Sequence, residues 1–102
     1  MKNSTFRKTE KVLYMYYVWS ANPHISKKTK TFCEAIERAI SQITDSDYAD
    51  MIELKYRLNY THERLAEHYD VSVTTISKHR ERIVNEIGAI LFSDDFIDEI
   101  RK

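Results

Sequence analysis

Apolar residues along this chain recur mostly at intervals of three and four. Phe32, Ile36, Ala39, Ile40 and Ile43 fall on one stripe of a helix, and Tyr48, Met51, Ile52 and Tyr56 repeat the spacing further on. Ile76, Ile83 and Ile87 lie within about 20° of one another at 100° per residue. One stretch departs from the pattern. VLYMYYVW, residues 12 to 19, is apolar on every face, so periodicity alone does not separate helix from strand there. A single Gly and a single Pro leave little punctuation for hairpins, which makes helix the economical reading from Thr9 to Ala21. Residues 1 to 8 read as a frayed basic start, and ANPHISKKTK at 21 to 30 as a linker. Thr31, three residues before Glu34, forms a capping box that opens a second helix. Asp45-Ser46 opens a third helix. Thr61 starts a short fourth one that ends near Tyr69. Ser72 starts a fifth running to about Phe92, with Gly88 a weak point in it. The expected fold is all-α, with about five helices.

With 102 residues there is room for one domain and one modest core. The lone Cys33 has no partner for an internal disulfide and no signal-peptide pattern opens the chain, so a cytoplasmic setting is expected. The eight-residue apolar run is far too short to span a bilayer, which argues against a membrane partner. Net charge is zero, but its distribution is uneven. Residues 1 to 43 hold eight Lys/Arg against three Asp/Glu, whereas residues 44 to 102 hold eight against thirteen. Four of those acids crowd into SDDFIDE at 93 to 99, and Lys78, Arg80 and Arg82 concentrate base at 78 to 82. Three regions follow: an N-terminal helical segment 1–43, a central unit 44–92 and an acidic tail 93–102. The asymmetry is compatible with nucleic-acid binding without establishing it.

The chemistry turns on THERLAEHYDVS, residues 61 to 72. His62-Glu63 resembles the opening of a zinc-protease helix, but that site needs a second His one turn on, and Ala66 stands there. His68 is six residues away, roughly 600° around a helix, and points elsewhere. His24 and His79 show no ligand spacing. No metal is expected, and no other cofactor: one glycine makes no phosphate-binding loop, and no nucleophile, base and acid stand out as a set. The same residues meet every requirement of a helix-turn-helix. Leu65 and Ala66 give the first helix an apolar side with a small residue at the crossing. Asp70 is tolerable at a turn position of positive φ, where glycine is better. Val71 plugs the turn, Ser72 caps the second helix and Ile76 anchors it.

On the second helix, Thr74, Thr75, Ser77, Lys78, Glu81, Arg82 and Asn85 lie opposite Ile76, between about 100° and 260° around the wheel. Short hydroxyls allow close approach to a major groove, and Lys78 is long enough to reach a guanine edge or a phosphate. The first turns of such a helix usually touch bases, which selects Val73, Thr74, Ser77 and Lys78 as readout candidates, with Val73 suited to a thymine methyl. Arg82 lies further along, at phosphate range, and Thr61 and Arg64 on the preceding helix are also placed for backbone phosphate. A polar outer face is equally what any solvated helix presents. Glu81 repels phosphate unless it accepts from a cytosine amine or pairs with Lys78. His79 and Arg80 sit nearer the buried side, where packing or an ion pair is the expected role.

DMIELKYRLNYTHERLAEHYDVSVTTISKHRERI resembles the promoter-reading C-terminal domain of bacterial sigma factors. More closely, it is similar to the small phage-encoded late transcription regulators of the ArpU and RinA type, which also place a helix like Ile52-Glu53-Leu54-Lys55-Tyr56-Arg57 before the helix-turn-helix. The resemblance covers residues 45 to 91. It implies a sigma-region-4-like fold in that part, a phage or prophage regulator of transcription, Thr74, Ser77 and Lys78 facing bases, and Arg82 facing phosphate. Asp70 in place of the turn glycine and His79 at an inward position often held by an aliphatic residue depart from the pattern. Residues 1 to 43 match no such motif.

A single helix-turn-helix makes few base contacts and usually works as a dimer or beside another bound protein. Leu13, Tyr16, Tyr17 and Trp19 are therefore expected to be buried either against a second copy or in this chain's own core. Lys27, Lys28 and Lys30 either touch phosphate or keep a linker solvated, and Cys33 is expected as a small buried residue. SDDFIDEIRK carries Phe96, Ile97 and Ile100 and suits an acidic amphipathic helix that docks on the domain, shields the basic helix or touches RNA polymerase. The expected function is sequence-specific binding of double-stranded DNA in transcription regulation, without catalysis. Two rivals use the same fold: a DNA-recognition subunit of a phage packaging machine, and a protein-interaction module that does not touch DNA.

Overall fold

The computed structural model describes residues 3–44 and 46–92, so Met1 and Lys2 of the expected basic start, Asp45 and the acidic segment 93–102 lie outside the described residues. The described chain is all helical. It has four α-helices, α1 (Asn3–Ser20), α2 (Lys27–Ser41), α3 (His62–Tyr69) and α4 (Val73–Leu91), and a π-helix at Glu53–Arg57, with a 3-10 turn at Ser46–Tyr48 before it. The all-α expectation of about five helices holds, but several boundaries move.

α1 begins at Asn3 rather than near Thr9. Its first turns are amphipathic, not frayed. Phe6 packs against the core, and Thr9 is fully buried with its hydroxyl donating to the Thr5 carbonyl (2.8 Å). The linker is also shorter than the composition implied. Ser26 is the cap of α2, with its hydroxyl oxygen accepting from the Thr29 N–H (3.1 Å). Thr31 is already inside the helix, donating to the Lys27 carbonyl (3.0 Å), so the Thr31–Glu34 capping box does not form. A solvated first turn, Lys27-Lys28-Thr29-Lys30, has the composition of a loop yet the propensity of a helix.

The expected third helix splits. After the 3-10 turn, helical geometry from Met51 widens into the π-helix, where Leu58 N–H donates to the Glu53 carbonyl (3.1 Å). Asn59 ends it at φ 59°, and Tyr60 N–H donates back to the Leu54 carbonyl (3.0 Å). Asn is among the few non-glycine residues that enter the left-handed region readily.

Two apolar clusters result, and α4 spans both. The larger gathers Leu13 of α1, Ala35, Ile36 and Ala39 of α2, Ile52 and Tyr56, and Ile83, Val84, Ile87 and Leu91 from the rear of α4. The smaller lies under the front of α4 and holds Met51, Leu65, Ala66 and Ile76, with Tyr48, Leu54, Tyr60, Tyr69 and Val71 packed against it. Met51 and Ile52 are adjacent in sequence yet enter different clusters. The larger core therefore draws on residues from both sides of 43/44. Thr44 marks that seam. Its N–H and hydroxyl both donate to the Glu86 carboxylate of α4 (3.1 and 2.7 Å). Gly88 is buried and does not interrupt α4.

The N-terminal apolar run divides by face. Leu13 is wholly enclosed by the chain's own core, so it is not held for a second copy. Tyr16, Tyr17 and Trp19 are half-buried against the same core, Tyr14 (39% exposed) touches its edge at Tyr56, and Val18 (59% exposed) remains outside it. Tyr16 further ties α1 to α2 by donating to Glu37 Oε1 (2.9 Å). Cys33 is buried in α2, as expected, and burial pushes its thiol pKa up.

Candidate nucleic-acid interface

The α3–turn–α4 unit is built by three local devices. Thr61 caps α3, accepting from the Arg64 N–H (3.1 Å). Asp70 then adopts φ 55°, ψ 50°, with Val71 N–H donating to the Ala66 carbonyl (3.0 Å) and Asp70 N–H to the Glu67 carbonyl (3.2 Å). This is the paired closure of a Schellman motif, and Val71 completes it by packing into the smaller cluster. Two residues on, Ser72 caps α4 by accepting from the Thr75 N–H (3.1 Å), and the Thr75 hydroxyl lies 3.0 Å from the Ser72 hydroxyl. Ile76, at 0% exposure, locks the first turns of α4 onto Leu65 and Ala66.

Asp70 is the strained point of this turn, since a β-carbon disfavours the left-handed region and a carboxylate opposes the negative end of the α3 dipole. Asp70→Gly removes both costs at the expense of unfolded-state entropy, and is expected to raise stability by about 0.5–1 kcal/mol. Asp70→Val should lower it by more than that. Urea denaturation of the three proteins checks the order, and a less stable Asp70→Gly would contradict it.

The candidate contact residues fall into two groups. On α4, Val73 (39% exposed), Thr74, Lys78 and Arg82 stand on the outer surface. Thr74, Lys78 and Arg82 are spaced four residues apart, so each lies about 6 Å further along one stripe of the helix. Ser77 departs from the wheel and is half-buried, as are Thr75 and Asn85. The α3–α4 crossing and the packing of α1 narrow the exposed arc of α4 to less than the 160° the wheel allowed. On α3, Thr61 and Arg64 are both exposed at the first turn. The Arg64 guanidinium lies 4.0 Å from the Tyr60 ring centroid, a support the sequence reading missed. Thr61 uses an acceptor lone pair in the cap, which leaves its O–H as a donor. Glu81 is exposed between Lys78 and Arg82.

Behind this surface, α4 is held by side chains. Tyr48 stacks on His79 (centroids 3.7 Å apart, planes 16°), and Tyr69 leans on Tyr48 (4.8 Å). Arg80 Nη1 donates to Glu10 Oε2 (2.7 Å), and the Tyr56 hydroxyl donates to the same oxygen (2.6 Å). One carboxylate of α1 thus joins the π-helix to α4. Phe6 covers the Arg80 guanidinium at 5.0 Å, and the Tyr14 ring meets Tyr56 edge-on at 4.7 Å. The inward roles expected of His79 and Arg80 are those observed. Burial and the bond to Glu10 drive the Tyr56 hydroxyl pKa well above the ordinary phenol range. Burial lowers the Lys55 ammonium pKa. Burial, with Lys55 and Arg80 adding to it, lowers that of His62 at the start of α3.

Among the described residues no group of three or more His, Cys, Asp or Glu stands where it could hold a metal, and no helix is long and apolar enough to cross a membrane. No protein-family model, curated protein or solved structure matches this chain.

Proposed function

We propose that this chain is a sequence-specific DNA-binding regulator of transcription that lays the first turns of α4 in the major groove and acts by binding, not catalysis, in the cytoplasm. The observation that carries the reading is the capped α3–turn–α4 unit, whose left-handed Asp70 and fully buried Ile76 fix α4 with Val73, Thr74 and Lys78 outward. In this reading Val73, Thr74 and Lys78 meet base edges, with Ser77 reaching in from the flank of the helix. Arg82, Arg64 and the Thr61 hydroxyl meet phosphate. Arg64 arrives pre-oriented on Tyr60, which lowers the entropy of fixing it. The likeness to phage late regulators adds a phage or prophage promoter as the target, and contact with RNA polymerase as the output. Two copies on adjacent half-sites supply the affinity that one recognition helix lacks.

The test is titration of the chain onto fragments of its own genomic neighbourhood at two salt concentrations, with Lys78→Ala in parallel. Binding is expected to weaken steeply with salt and by about 1–3 kcal/mol in the variant, with an unchanged melting curve. Absence of binding to every fragment, or wild-type binding by both Lys78→Ala and Arg82→Ala, would overturn the assignment of this face to DNA.

A further inference from the structure

The outward face of α1 changes character along its length. Measured from Lys8, residues Arg7, Lys11, Tyr14, Met15 and Val18 all lie within about 120° on one side at 100° per residue. The front of this arc is basic, with Arg7, Lys8 and Lys11 exposed. The rear is apolar, formed by Tyr14, Val18 and the half-buried Met15. Glu10, the one acid of α1, points the other way, onto Arg80 and Tyr56. Among the described residues, α1 itself carries no acid on this arc beside the three positive charges.

The chain leaves α4 at the edge of this arc, where the Lys8 ammonium lies 4.5 Å from the ring centroid of Phe92. The sequence that follows is SDDFIDEIRK, in which Asp94 and Asp95 come first, then Phe96 and Ile97, then Asp98, Glu99 and Ile100. Two or three residues of chain reach about 7–10 Å, which brings Asp94 and Asp95 to Lys8 and Lys11. Tyr14 and Val18 stand about 9 and 15 Å beyond Lys8 along the helix. Phe96, Ile97 and Ile100, four to eight residues past Phe92, cover that distance. Acid meets base and apolar meets apolar in the same order from one starting point.

We propose that segment 93–102 docks lengthwise on the outer face of α1, with its carboxylates over Arg7, Lys8 and Lys11 and Phe96, Ile97 and Ile100 against Tyr14, Met15 and Val18. Other pairings fit less well. A second copy brings the same three cations and no acid to the interface. The outer face of α4 sets Glu81 between Lys78 and Arg82, and its exposed large apolar residue, Val73, lies about 27 Å back along the helix. The docking joins the basic N-terminal part to the most acidic stretch of the chain and covers Val18, the most exposed large apolar residue among those described. It does not depend on any DNA contact.

A nitroxide attached to Lys102→Cys, in the full chain with Cys33→Ala, reads the position of the segment through loss of amide NMR intensity. Loss is expected over residues 11 to 18, to fade as salt is raised, and to vanish in Lys8→Glu/Lys11→Glu. Should that double variant not fold, the salt series on the parent protein decides. Loss centred on residues 73 to 82 would place the segment on α4 and overturn the proposal. So would loss seen only between labelled and unlabelled copies, which signals a second molecule. No loss beyond the reduced control would overturn it as well.

Discussion

Leu13→Ala is expected to destabilise the chain by about 2–5 kcal/mol, with the same loss at low and high protein concentration. Leu13 has no exposed surface and sits where α1, α2 and α4 converge, among Ile36, Ile83 and Ile87. Truncation removes the transfer energy of the side chain and leaves a cavity walled by three helices, which have little room to collapse into it. A domain of this size has only about 5–15 kcal/mol in total, so the loss is a large share. Concentration independence carries the second half of the argument. Were α1 buried against a second copy, mass action would raise the urea midpoint with concentration. A midpoint that climbs in this way would restore the dimer reading of the N-terminal helix. Val18→Ala, on the outer face of the same helix, should stay within about 0.5 kcal/mol if that face is bare and cost more if segment 93–102 covers it as proposed.

The contrast between Leu13 and Val18 shows what the sequence could and could not convey. The helix-turn-helix was legible because each of its devices is local. Thr61 and Ser72 cap the helices that immediately follow them, Asp70 takes its left-handed conformation within its own turn, and Ile76 is four residues from its cap. The spacing of Met51, Ile52 and Tyr56 was legible too, as three inward residues, but not their division between two clusters. That division depends on where α1 and α3 land. In VLYMYYVW the residues expected to be buried, Leu13, Tyr16, Tyr17 and Trp19, are those that meet the core, but with apolar residues on every face only packing against α2 and α4 decides that they do so within this chain and not against a second copy. The outer arc of α4 was drawn too wide for the same reason. Ser77 and Asn85 are polar and lie opposite Ile76 on a wheel, yet neighbouring helices half-cover both, and Asn85 Oδ1 is buried without a hydrogen-bond partner. The clips at Thr44–Glu86 and Glu10–Arg80 link residues 42 and 70 positions apart, beyond any local rule. One signal was present for the second. Glu10 is the sole acid in the first 33 residues, and a lone carboxylate in a basic, aromatic helix invites the question of what it pairs with.

Glu10→Ala is expected to cost about 2–4 kcal/mol, more than any single polar substitution on the outer face of α4. Glu10 and Arg80 have only 20% and 22% of their side-chain surface exposed, so each charge depends on the other more than an exposed pair does. Removing the carboxylate leaves the guanidinium under Phe6 with its Nε already lacking an acceptor, and strips the Tyr56 hydroxyl of its own. Tyr56→Phe, which deletes a donor and leaves the ion pair, should cost only about 1 kcal/mol. The partial burial sets a further expectation: Glu10→Leu combined with Arg80→Met should recover much of the loss, because an apolar pair removes the stranded charge. A double-mutant cycle by urea denaturation reads the coupling directly. Additive losses for Glu10→Ala and Arg80→Ala would mean that the contact is incidental, and that α1 is held to α4 by Leu13 and its neighbours alone. A coupling of about 2 kcal/mol would instead make α1 part of what orients α4, since Arg80 lies two residues beyond Lys78 on that helix. If α4 binds DNA as proposed, affinity for DNA becomes an independent readout at temperatures where Glu10→Gln remains folded. A variant that weakens the ion pair, far from any base, is expected to weaken binding without altering which sequence is preferred.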